Sequence, residues 1–323
     1  MRFHSAFRLA CFALALGSTL ATTLRADQAP AEMAPSAEQR AEDSIWLLST
    51  RGYPGNCLYC NAEPTVWRME CGVGWQRSTF DEFHASDSPD VITIVLVHGN
   101  RIDADGAVQE GMTTYRRLAL GTTTTRPVRF VVWSWPSDVM ATLVVRDAEI
   151  KAERADIEAH YLARFLARLG PDVPLSLIGF SFGARVTAGA LHLLGGGSIV
   201  GYTIDAPAQP RTAPMRAVLV AAAIDCDWFL PGRRYGLAVG QVERLLAIVN
   251  PRDVVLKHYA RLADRPIEAA GLAGIATGSM PPDQRSKVFF AHATEAVGHR
   301  HAWTHYLDAP RMMALVRREA LMQ

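Results

Sequence analysis

The sequence has no surplus of charge of either sign: 33 Lys and Arg stand against 32 Asp and Glu, a formal net charge of +1. Without a basic excess to neutralise phosphates, sequence-independent nucleic-acid binding is set aside. It has no internal repeat. It also lacks an uninterrupted apolar stretch of the ~20 residues that a membrane-spanning helix needs, so no transmembrane span is expected in the mature chain. The loop histidines lack a Glu or Asp at a familiar metal-site spacing, and neither a metal nor an organic cofactor is expected. Cysteine is sparse, five in 323 residues. What the chain does have is a 49% hydrophobic composition spread along its length with 20% charged residues, which excludes a disordered or collagenous chain and suits a globular protein.

The N-terminus calls for separate treatment. Arg2 and Arg8 precede an apolar, small-residue stretch from Leu9 to Leu24, with candidate cleavage sites at Ala21 and Ala26. This is the layout of a secretory signal peptide over residues 1–26, so the protein is expected to be exported, to a periplasm or to the medium. Cys11 lacks the flanking residues of a lipoprotein signal. Residues 27–44, rich in Ala, Glu, Gln and Pro, read as a flexible tail, and 45–323 as a single domain. Four cysteines remain, Cys57, Cys60, Cys71 and Cys226, and an even number in an exported chain favours a disulfide. A local bridge within Cys57, Cys60 and Cys71 is the expectation, with zinc or a redox dithiol at the C-x-x-C as the rival, and Cys226 as a buried thiol. The cysteine-containing segment 51–88 reads as irregular structure or a short hairpin.

From Asp90 onward, short β-branched runs alternate with longer helical patterns. Val91–Val97, Arg129–Trp135, Pro174–Phe180, Met215–Ile224, Arg244–Asn250 and Lys287–Ala293 read as strands, with Ser44–Arg51 as a possible first one. Ile150, Ile157, Tyr161, Phe165 and Leu169 recur at helical spacing, Ala184–Leu194 reads as a helix, and Ala309–Leu321 as a closing helix. Such alternation implies an α/β fold, a mostly parallel sheet with helices on both faces.

The chemistry centres on Gly179-Phe180-Ser181-Phe182-Gly183, a G-x-S-x-G at the junction of a strand and a helix. A sharp turn there would lift the Ser181 hydroxyl out at the carboxyl edge of the sheet. A serine hydroxyl needs a base to take its proton and a carboxylate to orient that base. In chain order the acid and then the histidine should follow. Asp253, just after the strand ending at Asn250, is the expected acid, with Asp225 and Asp227 as alternatives. The loop after Ala293 offers His299, His301 and His305 as base. His301 is preferred and His305 is the main alternative, while His292 reads as a packed strand residue. An oxyanion hole would take one N–H from Phe182 and another from Asn100 or Arg101, with Asn100 preferred, and His98 would brace that loop. Two irregular segments, Asn61–Ser88 and Ala269–Ser286, could build a specificity pocket, the second as a mobile flap.

His98-Gly99-Asn100 after a buried strand, the stretch Trp133–Ser137, GFSFG, AAAIDCDWF, NPRDVVL and HAWTHYL, in this order, resemble the α/β-hydrolase superfamily, most of all its bacterial serine hydrolases described as lipase-like or esterase-like. The resemblance spans about Ile45 to Leu321. It implies an eight-stranded sheet core and a Ser-His-Asp triad on Ser181, His301 and Asp253, with a small-molecule or lipid ester as substrate. An amidase, peptidase or thioesterase on the same site, or a catalytically silent binding module, are the competing readings.

Overall fold

The β-branched runs do become strands. A computed structural model, describing residues 39–53, 63–120, 122, 124–141, 144–207, 209–261 and 267–323, assembles them into one nine-stranded sheet. The expected signal peptide, the tail up to residue 38, Cys57 and Cys60 lie outside the described residues. The strands are β1 (Ser44–Ser49), β2 (Thr65–Glu70), β3 (Gly74–Ser78), β4 (Ile92–Val97), β5 (Val128–Ser134), β6 (Leu175–Phe180), β7 (Met215–Val220), β8 (Arg244–Val249) and β9 (Val288–His292). Their order is β3-β2-β1-β5-β4-β6-β7-β8-β9. Only the β1–β2 and β2–β3 pairs are antiparallel, and every other neighbour is parallel. β4, β5 and β6 are buried along their whole length, because helices cover both faces of the sheet there. That is why their sequences run apolar without alternation.

Six helices concern the site: α1 (Phe80–Ala85), α2 (Ala104–Tyr115), α3 (Val144–Ala167), α4 (Phe182–Leu194), α5 (Trp303–Leu307) and α6 (Pro310–Ala320). α3 and α4 pack along each other, while α2, the wide turn after it, α5 and α6 form a second group. This plan, with a strand–turn–helix at β6 and α4, is the α/β-hydrolase fold.

Several expectations are corrected. The sheet has nine strands rather than the eight that the resemblance implied, because the segment 51–88 takes the second of its two readings, a short hairpin, β2–β3, whose Trp67, Met69 and Trp75 are buried while Arg68, Glu70, Gln76 and Arg77 face solvent. The seventh strand stops at Val220 instead of Ile224. Ala221 takes φ +47° there, and the chain turns beneath Ser181, with the Ala223 N–H donating to the Ser181 carbonyl at 3.2 Å. The tail is anchored before residue 44: Asp43 accepts from Arg40 (2.7 Å), from the Tyr115 hydroxyl (2.7 Å) and from the Val128 N–H (2.9 Å). Cys71 and Cys226 both carry free thiols, and the other members of the expected bridge, Cys57 and Cys60, lie outside the described residues. Among the described residues no helix is long and apolar enough to cross a membrane.

Candidate active site

The turn between β6 and α4 depends on its glycines. A Cβ on Gly183 would lie 2.1 Å from the Val97 carbonyl oxygen, and one on Gly179 would lie 2.7 Å from Cα of Ala184. Backbone cannot yield that much, so only glycine lets α4 start this close to β4. Between them Ser181 takes φ +54° and ψ −116°, a conformation that costs a residue with a Cβ about 1–3 kcal/mol. The Ser181 N–H holds the Val220 carbonyl at 2.9 Å, which fixes the turn against β7.

Asp253 follows β8 and is fully buried. Its Oδ1 accepts from the N–H groups of Val255 (2.9 Å) and Leu256 (3.0 Å), which leaves Oδ2 for His301 Nδ1 at 2.7 Å. A carboxylate flanked by amide donors only accepts, so Nδ1 carries the ring proton. Nε2 is then the acceptor for the Ser181 hydroxyl, 2.9 Å away. The imidazole lies against Phe180, with ring centroids 5.2 Å apart. Phe180 in turn packs on Trp303, whose indole N–H donates to Thr114 Oγ1 at 2.8 Å. The loop carrying His301 is thus nailed to α2. Asn250 adds a second fixing, donating from Nδ2 to the Gly298 carbonyl at 2.9 Å.

The other candidates fall elsewhere. Asp225 is buried and accepts from the Tyr259 hydroxyl at 2.8 Å, and Asp227 faces Arg233 at 3.6 Å. His305 Nδ1 lies 3.4 Å from an Arg300 nitrogen, and His299 is exposed. His292, expected as a packed residue, is exposed, because β9 is the edge strand and its last position has no neighbour on one side. The proposed flap is tied down at its start: the N–H groups of Ala270, Gly271 and Ala276 donate to the carbonyls of Ile224, Ala222 and Cys226 at 2.7, 2.9 and 2.8 Å. Ile275 and Met280 are buried beneath it.

Beside the serine, the loop after β4 comes close: a Cβ on Gly99 would stand 3.5 Å from that of Ser181. Of the two donors left open there, Arg101 spends its N–H on the Ser137 carbonyl at 2.7 Å. The N–H groups of Asn100 and of Phe182, the first residue of α4, have no acceptor among the described residues. A first-turn helical N–H has no intrahelical partner, so Phe182 is a ready-made donor. His98 is buried at the root of this loop, and burial beside Arg51 lowers its pKa to about 3. Sequence reasoning missed Arg51, Ser137 and the Trp303–Thr114 bond. Arg51 gave no periodic or motif signal, and Ser137 entered only as the last residue of the stretch Trp133–Ser137 with no role attached, since their contacts arise only where loops from different strands meet.

No protein-family model and no curated protein matches the chain. Among solved structures it is similar to acyl-protein thioesterase 2 of Zea mays (TM-score 0.38, 20% identity, 70% of this chain and 91% of that one). It is also similar to a cutinase-like protein from Cryptococcus (0.36, 16%, 73% and 96%) and to an acetylxylan esterase (0.34, 13%, 71% and 98%). At such TM-scores the likeness carries no argument of its own, and the fold assignment rests on the strand order and the β6–α4 turn.

Proposed function

We propose that the protein is a serine hydrolase that cleaves a carboxylic ester. In this reading Ser181 attacks the ester carbonyl while its proton passes to His301 Nε2. Asp253 holds the ring in the tautomer that can receive the proton and balances the imidazolium that forms. The Phe182 and Asn100 N–H groups receive the developing oxyanion, and the alcohol leaves with the proton from His301. Water, activated by the same imidazole, then hydrolyses the acyl-serine. The observation that carries the proposal is the continuous Ser181–His301–Asp253 chain, at 2.9 and 2.7 Å, at the end of a strained strand–helix turn. The export expected from residues 1–26 belongs to the same proposal, with a mature N-terminus between Ala21 and Gln28.

The test is covalent. A fluorophosphonate should add once, at Ser181, and His301→Ala should lose roughly three or more powers of ten in kcat on a p-nitrophenyl ester, as Ser181→Ala does. His305→Ala should lose at most about tenfold, and Asp225→Asn should keep most activity while Asp253→Asn is severely impaired. Absence of any adduct on folded protein would remove the enzyme reading. Faster turnover of matched thioesters or amides than of esters would move it to those substrates.

A further inference from the structure

Arg51, the second residue after β1, is nine-tenths buried, and its guanidinium joins segments that the sequence keeps far apart. Nε donates to Ser134 Oγ (2.8 Å) at the end of β5, and Nη1 to Asp138 Oδ2 (2.6 Å) beyond it. Nη2 donates to the Ile102 carbonyl (3.0 Å) and lies 3.5 Å from His98 Nε2, both in the loop after β4. A second clip lies alongside: Ser137 Oγ donates to the Ile102 carbonyl at 2.9 Å, and the Ser137 carbonyl receives the Arg101 N–H at 2.7 Å. Arg101 is itself at φ +63°, so this loop is held in a shape it would not keep alone.

The protons in the network can be assigned. The Trp135 N–H points at His98 Nε2 (3.3 Å), so Nε2 accepts, and Nδ1 carries the proton that bonds the Gly99 carbonyl at 2.9 Å. The ring also stacks on Trp135, centroids 5.7 Å apart. The Gly99 carbonyl and the Asn100 N–H belong to one planar trans peptide and point in opposite directions. Fixing the carbonyl on His98 therefore fixes where the Asn100 N–H is aimed. The planar fork of Arg51 faces the far side of that same imidazole while holding the loop's exit at Ile102.

We propose that Arg51 is a positioning residue for the ester hydrolysis: by locking the loops after β1, β4 and β5 together it holds the Gly99–Asn100 peptide with its N–H turned toward the oxyanion side of Ser181. The inference rests on the serine-hydrolase reading above. A misaimed oxyanion donor weakens binding of the transition state and leaves ground-state binding alone.

The experiment uses the full mature protein and a soluble p-nitrophenyl ester. Arg51→Lys keeps the charge and loses the fork. Its kcat should fall roughly tenfold to a hundredfold with KM within about twofold, and affinity for a trifluoromethyl ketone that forms a tetrahedral adduct should fall in parallel. Arg51→Ala should fall further and regain activity when guanidinium is added at millimolar concentration. Should Arg51→Ala fail to fold, Arg51→Lys and the ketone affinity decide alone. An unchanged kcat in Arg51→Lys overturns the inference, as does a loss confined to KM or thermal midpoint with ketone affinity intact. A wild type that neither turns over ester nor labels at Ser181 defeats the hydrolase reading itself, which is a different result from an active wild type indifferent to Arg51.

Discussion

Ser181 is bound to its position by two demands that oppose each other. The hydroxyl must stand clear of the sheet, and the turn that raises it needs a φ of +54° that a Cβ resents. Exchanging the side chain separates the two. Ser181→Ala keeps the Cβ and the strain, whereas Ser181→Gly removes both, so the glycine variant should unfold at about 1 kcal/mol higher free energy than the alanine variant, with neither hydrolysing ester. Urea denaturation of the two variants side by side measures this, and equal midpoints would mean that the turn stores no strain. His301 is preferred over His299 and His305 by its place between the last strand and the closing helix, and it is the one of the three that lies between Ser181 and Asp253. Asp253 is preferred over Asp225 and Asp227 because those two follow the strand next after the elbow strand, whereas Asp253 follows the one after that.

At the scale of elements, what was legible followed burial. β4, β5, β6 and β8 announce themselves because both faces are covered, leaving few polar positions, among them the buried Thr93, Arg129 and Ser176. α2 went unread: ADGAVQEGMTTY holds two glycines and two threonines, weak helix formers, and it is tertiary contact that makes it helical. Asp103 caps its first turn through the Gly106 N–H at 2.8 Å, and a Cβ on Gly111 would meet Val132 at 2.3 Å. The network around Arg51 was invisible for another reason, because its partners lie 47 to 87 residues away and none shares a motif with it. α2 also carries Glu110, whose pKa burial pushes up to about 7 and whose Oε2 has no partner among the described residues. Its folded pKa lies above its unfolded value near 4.5, so its stabilising share is complete below about pH 4.5 and is lost as pH rises through about 7. Glu110→Gln should therefore stabilise the protein at pH 8 and be close to neutral at pH 4.5. Denaturation curves at the two pH values check the sign, and an equal effect at both would show that the carboxyl is not desolvated.

Across the whole molecule, the proposed machinery is assembled from the middle and the far end of the sheet: the serine after β6, the acid after β8, the histidine after β9. Non-local pairings of this kind form late, because loop closure must precede the contacts that reward it. In refolding from denaturant, competence for fluorophosphonate labelling should lag behind recovery of far-ultraviolet circular dichroism. Labelling that keeps pace with, or precedes, secondary structure would contradict that order. The Ser181–His301 hydrogen bond joins residues 120 positions apart. At the pace of roughly 5–20 residues per second at which a ribosome works, the serine is joined to the growing chain about 6–24 s before its histidine. On the proposed reading, the nascent polypeptide until then carries the serine without the imidazole meant to deprotonate it, so the order of the residues along the gene would itself be a timer on when the proposed activity can begin.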